Sequence, residues 1–285
     1  MEQTGRLYLC ATPIGNLADI TYRAVETLRT ADVIAAEDTR HTRGLLAHYD
    51  IHTPMTSYHE HNKEEKGAEL IERLRAGETV VCVSDAGLPG IADPGGDLAR
   101  RAIAEGIPVN PLPGANAALS ALICAGLPLE GFTFVGFLPR KEKKRREVLA
   151  RIAAYPETLI FYEAPHRLKE TLAALTAGLG AQRCACAARE LTKKFEEFRR
   201  TTLGDLLAHY QEHEPRGEFV LIVSGSDENA ASTADAAEEM SLTERYAAHI
   251  AKGLDKKEAM RRTAQELGIS RRDVYQAVLA GDVVL

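Results

Sequence analysis

Val80 to Gly96 reads VVCVSDAGLPGIADPGG, a short apolar strand that runs into a loop with two aspartates set among glycine and proline. The β-branched run from Val80 to Val83 is the pattern of a strand covered on both faces, and Ser84 opens a polar, turn-forming loop. In an open parallel sheet, ligands bind at the loops that follow the carboxyl ends of strands. Asp85, Gly87, Pro89, Asp93, Pro94 and Gly95 restrict the backbone heavily, which suits a main chain that must approach a ligand closely. A tight strand-to-helix connection is the simpler alternative.

Working outward, Arg6 to Ala11 (RLYLCA) reads as a strand that runs into Thr12-Pro13-Ile14-Gly15-Asn16. That turn lacks the GxGxxG spacing of dinucleotide sites. Ile20, Ala24, Val25 and Leu28 then make one apolar helix face, and Val33 to Ala36 form a strand ending in Glu37-Asp38-Thr39-Arg40. Short helical and strand patterns pass through Leu45, Met55 and Leu70 to Leu74. Beyond the quoted stretch come a helix near Asp97 to Glu105, a strand from Pro108 to Leu112, and Pro113-Gly114. About five strands alternating with helices predict an α/β fold with a parallel sheet covered on both faces. The Ala-rich, nearly uncharged segment Ala115 to Ala125 reads as a helix buried between two layers. Strands near Phe132 to Gly136, Thr158 to Tyr162, Arg183 to Arg189, Glu197 to Thr202 and Phe219 to Ser224 follow it. The third and fourth of these have only a short link, as in an antiparallel pair.

The expected organisation is an N-terminal α/β domain with a parallel sheet over 1–114 and a second α/β domain with a mixed sheet over 115–225. A flexible linker over 226–240 follows, then a small helical, helix-turn-helix-like tail over 241–285. The linker is acidic and Ala/Ser-rich without apolar periodicity. In the tail, Ser241 with Glu244, Asp255 with Glu258 and Ser270 with Asp273 have helix-start spacing. Arg261, Arg262, Arg271 and Arg272 are expected on its surface, and both nucleic-acid contact and a packing or dimerisation role are open for it.

Composition narrows the function classes. The 285 residues are 45% hydrophobic and 27% charged, as in a soluble globular protein. No apolar run approaches membrane-spanning length and MEQTGRLYLC lacks the layout of a secretory signal, so a cytoplasmic protein is expected. Five cysteines, Cys10, Cys82, Cys124, Cys184 and Cys186, read as small core residues. No metal site is expected: His41, His48, His59 and His61 share no ligand spacing with cysteine or carboxylate and read as surface residues. A net charge of −6 gives no global attraction to nucleic acid, so such binding needs a local basic patch. Arg140 to Arg146 (RKEKKRR) is the strongest one, and it follows a strand end.

Several stretches together resemble the tetrapyrrole methylase superfamily of S-adenosylmethionine-dependent methyltransferases. They are ATPIGNLADIT (Ala11 to Thr21), AEDTRHTRGLL (Ala36 to Leu46), SDAGLPGIADPG (Ser84 to Gly95), LPGANAALSAL (Leu112 to Leu122), GFLPRK (Gly136 to Lys141), FYEAPHRL (Phe161 to Leu168), ARELTKKFEE (Ala188 to Glu197) and GEFVLIVSG (Gly217 to Gly225). They occur in one order over about residues 5 to 225. Within the superfamily they are most similar to the branch that methylates the ribose 2′-hydroxyl of a cytidine in the decoding centre of 16S rRNA. The sequence departs from the usual pattern at Leu88, Ala92, Ala115-Asn116 and Arg200-Thr201.

The resemblance implies two α/β domains with a cofactor cleft between them, and S-adenosylmethionine as cofactor. Its neighbours would be Pro13, Ser84, Asp85, Gly87, Ile91, Ala92, Asp93, Pro113, Gly114, Tyr162, Ala188 and Gly217. A homodimer acting on 16S rRNA in the small ribosomal subunit, with no membrane partner, is expected. A small-molecule methyltransferase and a non-catalytic nucleic-acid-binding protein are the alternatives. Methyl transfer to an alcohol depends first on positioning, and a general base adds to it. Candidates for that base, left open, are Glu37, Asp38, Glu163, His166, and Glu190 with Lys193. Phosphate contacts are expected from Arg40, Arg43, Arg140, Lys141, Lys143, Lys144, Arg145, Arg146, Arg167 and Arg189.

Overall fold

The computed structural model describes residues 5–91, 93–226, 246, 249–250, 254–267 and 270–280. Ala92, Ser241, Glu244 and the expected linker beyond Ser226 lie outside the described residues. The chain divides into two compact units, Met1–Ser226 and Asp227–Leu285.

The first sheet contains β1 (Arg6–Cys10), β2 (Val33–Ala36), β3 (Met55–Ser57), β4 (Thr79–Val83) and β5 (Val109–Leu112) in the order β3-β2-β4-β1-β5. All its pairings are parallel. The quoted strand β4 is central, and its alternation serves two cores at once. Val80 and Cys82 pack with Leu7, Leu70 and Leu98, whereas Val81 and Val83 pack with Ile34, Leu28 and Leu112. Helices α1 (Tyr22–Thr30), α2 (Thr39–His48), α3 (Lys63–Arg75) and α4 (Gly95–Ala104) make the crossovers that parallel pairing requires. Thr21 Oγ1 caps α1 by accepting from Ala24 N at 3.1 Å, and Asp38 caps α2 by accepting from Arg40 N at 2.8 Å.

The second sheet contains β6 (Phe132–Gly136), β7 (Thr158–Glu163), β8 (Cys184–Arg189), β9 (Glu197–Thr202) and β10 (Phe219–Val223) in the order β6-β7-β10-β8-β9. Only β6 and β7 pair in parallel, so the sheet is mixed, with β8 and β9 antiparallel as their short link predicts. One face lies under α6 (Glu142–Ile152), α7 (Pro165–Leu179) and α8 (Leu203–Glu212), in a core that includes Phe161, Leu168, Leu172, Leu206 and Leu221. The other face, with Ile160, Cys186, Ala188, Val220 and Ile222, meets α5 (Ala117–Ala125).

Two expectations need correction. Ala118, Ala121, Leu122 and Ala125 of α5 are buried, but Leu119 and Ile123 are 44% and 69% exposed. The helix thus packs along one side only, because its small residues fall on a single stripe. Cys10, Cys82 and Cys186 are core residues, whereas Cys124 and Cys184 are exposed. Burial alone pushes the Cys10 thiol up to about 12, which keeps it protonated and inert.

In the second unit, α9 (Lys256–Leu267) and α10 (Arg271–Ala280) enclose Ala259, Ala264, Val274 and Val278 with Tyr246. Asp255 caps α9, accepting from Glu258 N at 2.8 Å, as its spacing predicts. Glu258 also pairs with Arg261 and Arg262. Among the described residues, no helix is long and apolar enough to cross a membrane.

Candidate active site

The loop after β4 is tied to the turn after β1. Thr12 N donates to Gly87 O at 2.9 Å, Gly87 N donates back to Thr12 O at 3.0 Å, and Thr12 Oγ1 donates to Ser84 O at 3.2 Å. Gly87 has φ +78°, which favours glycine, and a Cβ there would stand 3.5 Å from Ala115 O and from Ile14. Asp93 Oδ1 accepts from Gly90 N at 2.7 Å and Gly95 N at 2.8 Å, so this carboxylate shapes the loop from inside. Asp85 Oδ1 accepts from Asp38 N at 3.0 Å and Glu37 Oε2 accepts from Asp85 N at 3.4 Å, which joins the β4 loop to the end of β2.

A cavity of about 490 Å³ opens where these loops meet the second sheet. Ile14, Glu37, Ser84, Asp85, Gly87, Leu88, Ile91 and Asp93 line it from the first sheet's strand ends, and Phe137, Tyr162, Glu163, Leu191, Glu218 and Val220 from the second. The antiparallel register explains the second group. Phe219 lies opposite Glu163 and Val220 opposite Tyr162, so the start of β10 and the end of β7 share one edge.

The cavity carries an excess of negative charge, with no lysine, arginine or histidine among its lining residues. Burial, then the charge of Asp85, raises the Glu37 carboxyl above its ordinary value, with Asp93 adding to the rise. Asp93 is likewise raised by burial, partly offset by the loop amides it accepts from. A ligand with a positive centre would relieve this, and the apolar side chains of Ile14, Leu88, Ile91 and Val220 suit a flat aromatic portion. S-adenosylmethionine, with a sulfonium, an ammonium and an adenine, fits both requirements.

Of the expected cofactor neighbours, Ser84, Asp85, Gly87, Ile91, Asp93 and Tyr162 line the cavity. Pro13, Pro113, Gly114, Ala188 and Gly217 do not. Two of these are sites of close approach between protein segments. A Cβ on Gly114 would approach Ala11 Cβ to 2.9 Å, and one on Gly217, at φ +82°, would approach Glu190 Cγ to 2.4 Å. Ala188 pairs with Val220, which does line the cavity.

The candidate bases separate clearly. Glu37 lines the cavity and is raised in pKa. Asp38 is held well below the carboxylate range by its hydrogen bonds with Arg40, whose Nη2 is 2.6 Å away. Glu163 reaches the lining but is fully engaged: it accepts from Ala164 N at 2.9 Å and Thr171 Oγ1, and pairs with Arg167 at 3.6 Å. Glu190 accepts from Glu218 N and Lys193 Nζ, both at 3.0 Å, and these contacts outweigh burial to lower its pKa. Neither Glu190, Lys193 nor the exposed His166 lines the cavity.

His59 corrects the sequence reading. It is half-buried, its Nδ1 is enclosed without a partner among the described residues, and its charge acts on Glu37 to oppose the rise. Nothing local signalled this, because β3 is three residues long and its place beside β2 comes from pairing alone.

The basic residues also divide. Arg140, Lys141, Lys143 and Lys144 are exposed, with no acid paired to them among the described residues. Arg145 is 11% exposed and pairs with Glu170 at 2.5 Å, while Arg146 pairs with Glu142 at 3.2 Å. Arg167 is 13% exposed and donates to Leu138 O at 2.8 Å. Arg189 donates to Arg216 O at 2.7 Å and pairs with Glu197. Arg43 is exposed on α2, and Arg40 is exposed while bound to Asp38.

The sequence pattern of the Tetrapyrrole (Corrin/Porphyrin) Methylases matches residues 6–207. This chain belongs to that family. Among relatives, Ribosomal RNA small subunit methyltransferase I of Halalkalibacterium halodurans is 50% identical over 274 residues, covering 96% of this chain and 94% of its own length. The protein of that name from Bacillus subtilis is 47% identical over 274 residues with the same coverage. A tetrapyrrole methylase of solved structure, uroporphyrin-III C-methyltransferase from Thermus thermophilus complexed with S-adenosylhomocysteine, superposes with a TM-score of 0.55 at 22% identity. It covers 77% of this chain and 97% of its own, a likeness that concerns the fold.

Proposed function

We propose that this chain transfers a methyl group from S-adenosylmethionine to the ribose 2′-hydroxyl of a cytidine in the decoding centre of 16S rRNA. The observation that carries the reading is the near-half identity, over almost the whole of both chains, to relatives named as small-subunit rRNA methyltransferases. Ser84, Asp85, Gly87, Ile91, Asp93 and Tyr162 would hold the cofactor, which when bound supplies an electrophilic methyl on a cationic sulfur. The chain's own contribution is chiefly placement. Well-oriented reactants lower a barrier by roughly 7 to 11 kcal/mol, against roughly 10²- to 10⁴-fold for a general base. The loops cross-tied at Thr12 and Gly87 supply the rigid frame. Glu37 would accept the hydroxyl proton as the carbon–oxygen bond forms and the methyl carbon–sulfur bond breaks to leave S-adenosylhomocysteine, since it lines the cavity with a carboxyl raised above its ordinary value by burial and by Asp85.

Arg140, Lys141, Lys143 and Lys144 hold RNA phosphates, because they are unpaired cations close in sequence to the cavity-lining Phe137. The enzyme works in the cytoplasm, where small subunits are found. It acts as a homodimer, supported by the exposed apolar side chains of α5 and the β6 edge, Leu119, Ile123, Phe132 and Phe134. The expected division at 114/115 falls between β5 and α5, and we retain it as the limit of two α/β domains enclosing the cleft. Incubation with methyl-labelled S-adenosylmethionine and unmethylated small subunits labels a cytidine ribose of 16S rRNA. Absence of label on correctly assembled subunits would refute the assignment.

A further inference from the structure

We infer that Phe137 is the platform on which the base of the target nucleotide stacks, an inference that rests on the rRNA reading above. Phe137 lines the cavity, yet it is 52% exposed. Its position is built on both sides. Gly136 before it has φ +72°, a turn that favours glycine, and Leu138 after it is 2% exposed in the core. The Leu138 carbonyl accepts from Arg167 Nη2 at 2.8 Å, and Arg167 is held by the buried Glu163 at 3.6 Å. With its neighbours fixed inward, residue 137 is directed outward at the cavity. Tyr162 supports the ring edge-on, with centroids 5.7 Å apart and planes at 65°, and Phe134 supports Tyr162 in the same way at 5.1 Å. Tyr162 OH is in turn fixed by Ala118 N at 3.3 Å.

An aromatic residue placed this way, followed after three and four residues by the unpaired cations Arg140 and Lys141, matches one nucleotide unit: a flat base and its phosphate. Single-stranded RNA is recognised by such pairings of ring stacking with phosphate contact, and a base unstacked from its neighbours needs a new stacking partner. The carboxylates of the cavity do not serve here, because they offer no surface for a neutral base.

The test compares the full-length protein with Phe137→Ala, Phe137→Leu and Phe137→Trp. Methylation of unmethylated small subunits is measured at varied subunit concentration, and S-adenosylhomocysteine binding is measured by calorimetry. Phe137→Ala and Phe137→Leu are expected to lower kcat/KM for the subunit by roughly 5- to 150-fold, the range of one lost base stack. Phe137→Trp is expected to keep most of the activity, and all three are expected to bind S-adenosylhomocysteine as the wild type does. Unchanged kcat/KM in Phe137→Ala would overturn the inference, as would full activity in Phe137→Leu, which would show that bulk suffices. Cofactor affinity falling in parallel with activity would also overturn it, placing the ring against the cofactor instead. A wild type that leaves the subunits unlabelled would refute the rRNA reading itself.

Discussion

The two sheets of the larger unit meet one cavity by different means. In the first, every pairing is parallel, so all carboxyl ends lie at one edge and the loops after β1, β2 and β4 converge there by topology alone. In the second, β10 runs against β7 and β8, so the cavity edge mixes strand ends with a strand start. The acids differ accordingly. Glu37, Asp85 and Asp93 come from the first sheet's loops and crowd one another, whereas Glu163 of the second accepts from Thr171 and pairs with Arg167. One sheet thus presents charge to a ligand, and the other uses charge to hold its own loops in place.

Substitutions can break that contrast. The largest effect is expected for Glu37→Gln, which should lower single-turnover methyl transfer by roughly 10²- to 10⁴-fold while the fold persists. Its stability moves the opposite way. The folded pKa of Glu37 is raised, so the folded state disfavours the ionised form, and stability is lost as pH rises from the ordinary carboxylate value through the raised one. Glu37→Gln should therefore unfold at a higher temperature than the wild type at neutral pH, and a lower midpoint would count against charge crowding at the site.

Glu163→Ala should do the reverse. It leaves Arg167 beside an apolar core without its partner, and loss of about 3 to 5 kcal/mol in denaturant unfolding is expected. Glu163→Gln, which can still accept from Thr171, should lose less. If Glu163→Ala were as stable as the wild type, the structural role assigned to the second sheet's acid would fail.

A glycine pair sharpens the same comparison at about 1 to 3 kcal/mol. Gly217→Ala meets Glu190 at 2.4 Å in a left-handed conformation and should mainly destabilise the fold. Gly87→Ala meets nothing closer than 3.5 Å but alters the cavity loop, so its loss should be greater in calorimetric cofactor affinity than in unfolding. The smallest expected effect concerns pH. Affinity for S-adenosylmethionine should rise as pH climbs above the ordinary carboxylate range and the raised carboxyls of Glu37 and Asp93 ionise toward its sulfonium. S-adenosylhomocysteine, which lacks that charge, should rise less, and identical profiles would remove the electrostatic argument for the cofactor.

Much of this was legible in local sequence. The period-two alternation and the Gly/Pro loops carry their own geometry, so β4, the parallel order of helices and strands, and Ser84, Asp85, Gly87 and Asp93 at the cavity followed from residues close in the chain. The short link from Arg189 to Glu197 likewise forecast the antiparallel pair β8 and β9. Other features depend on which segments become neighbours. The resemblance sets Pro113, Gly114 and Gly217 beside the cofactor, and the fold shows that Gly114 and Gly217 also allow a close approach between protein segments.

What the sequence alone determined is therefore the set of rigid loops and the acids they carry, because backbone restriction and turn chemistry are local properties. Only the tertiary structure decided which acids remain available. It paired Glu163 with Arg167 and Glu190 with Lys193, brought His59 toward Glu37, and left Phe137 exposed at the cavity. Charge balance and burial arise from residues distant in the chain, and they exist only once the strands have paired.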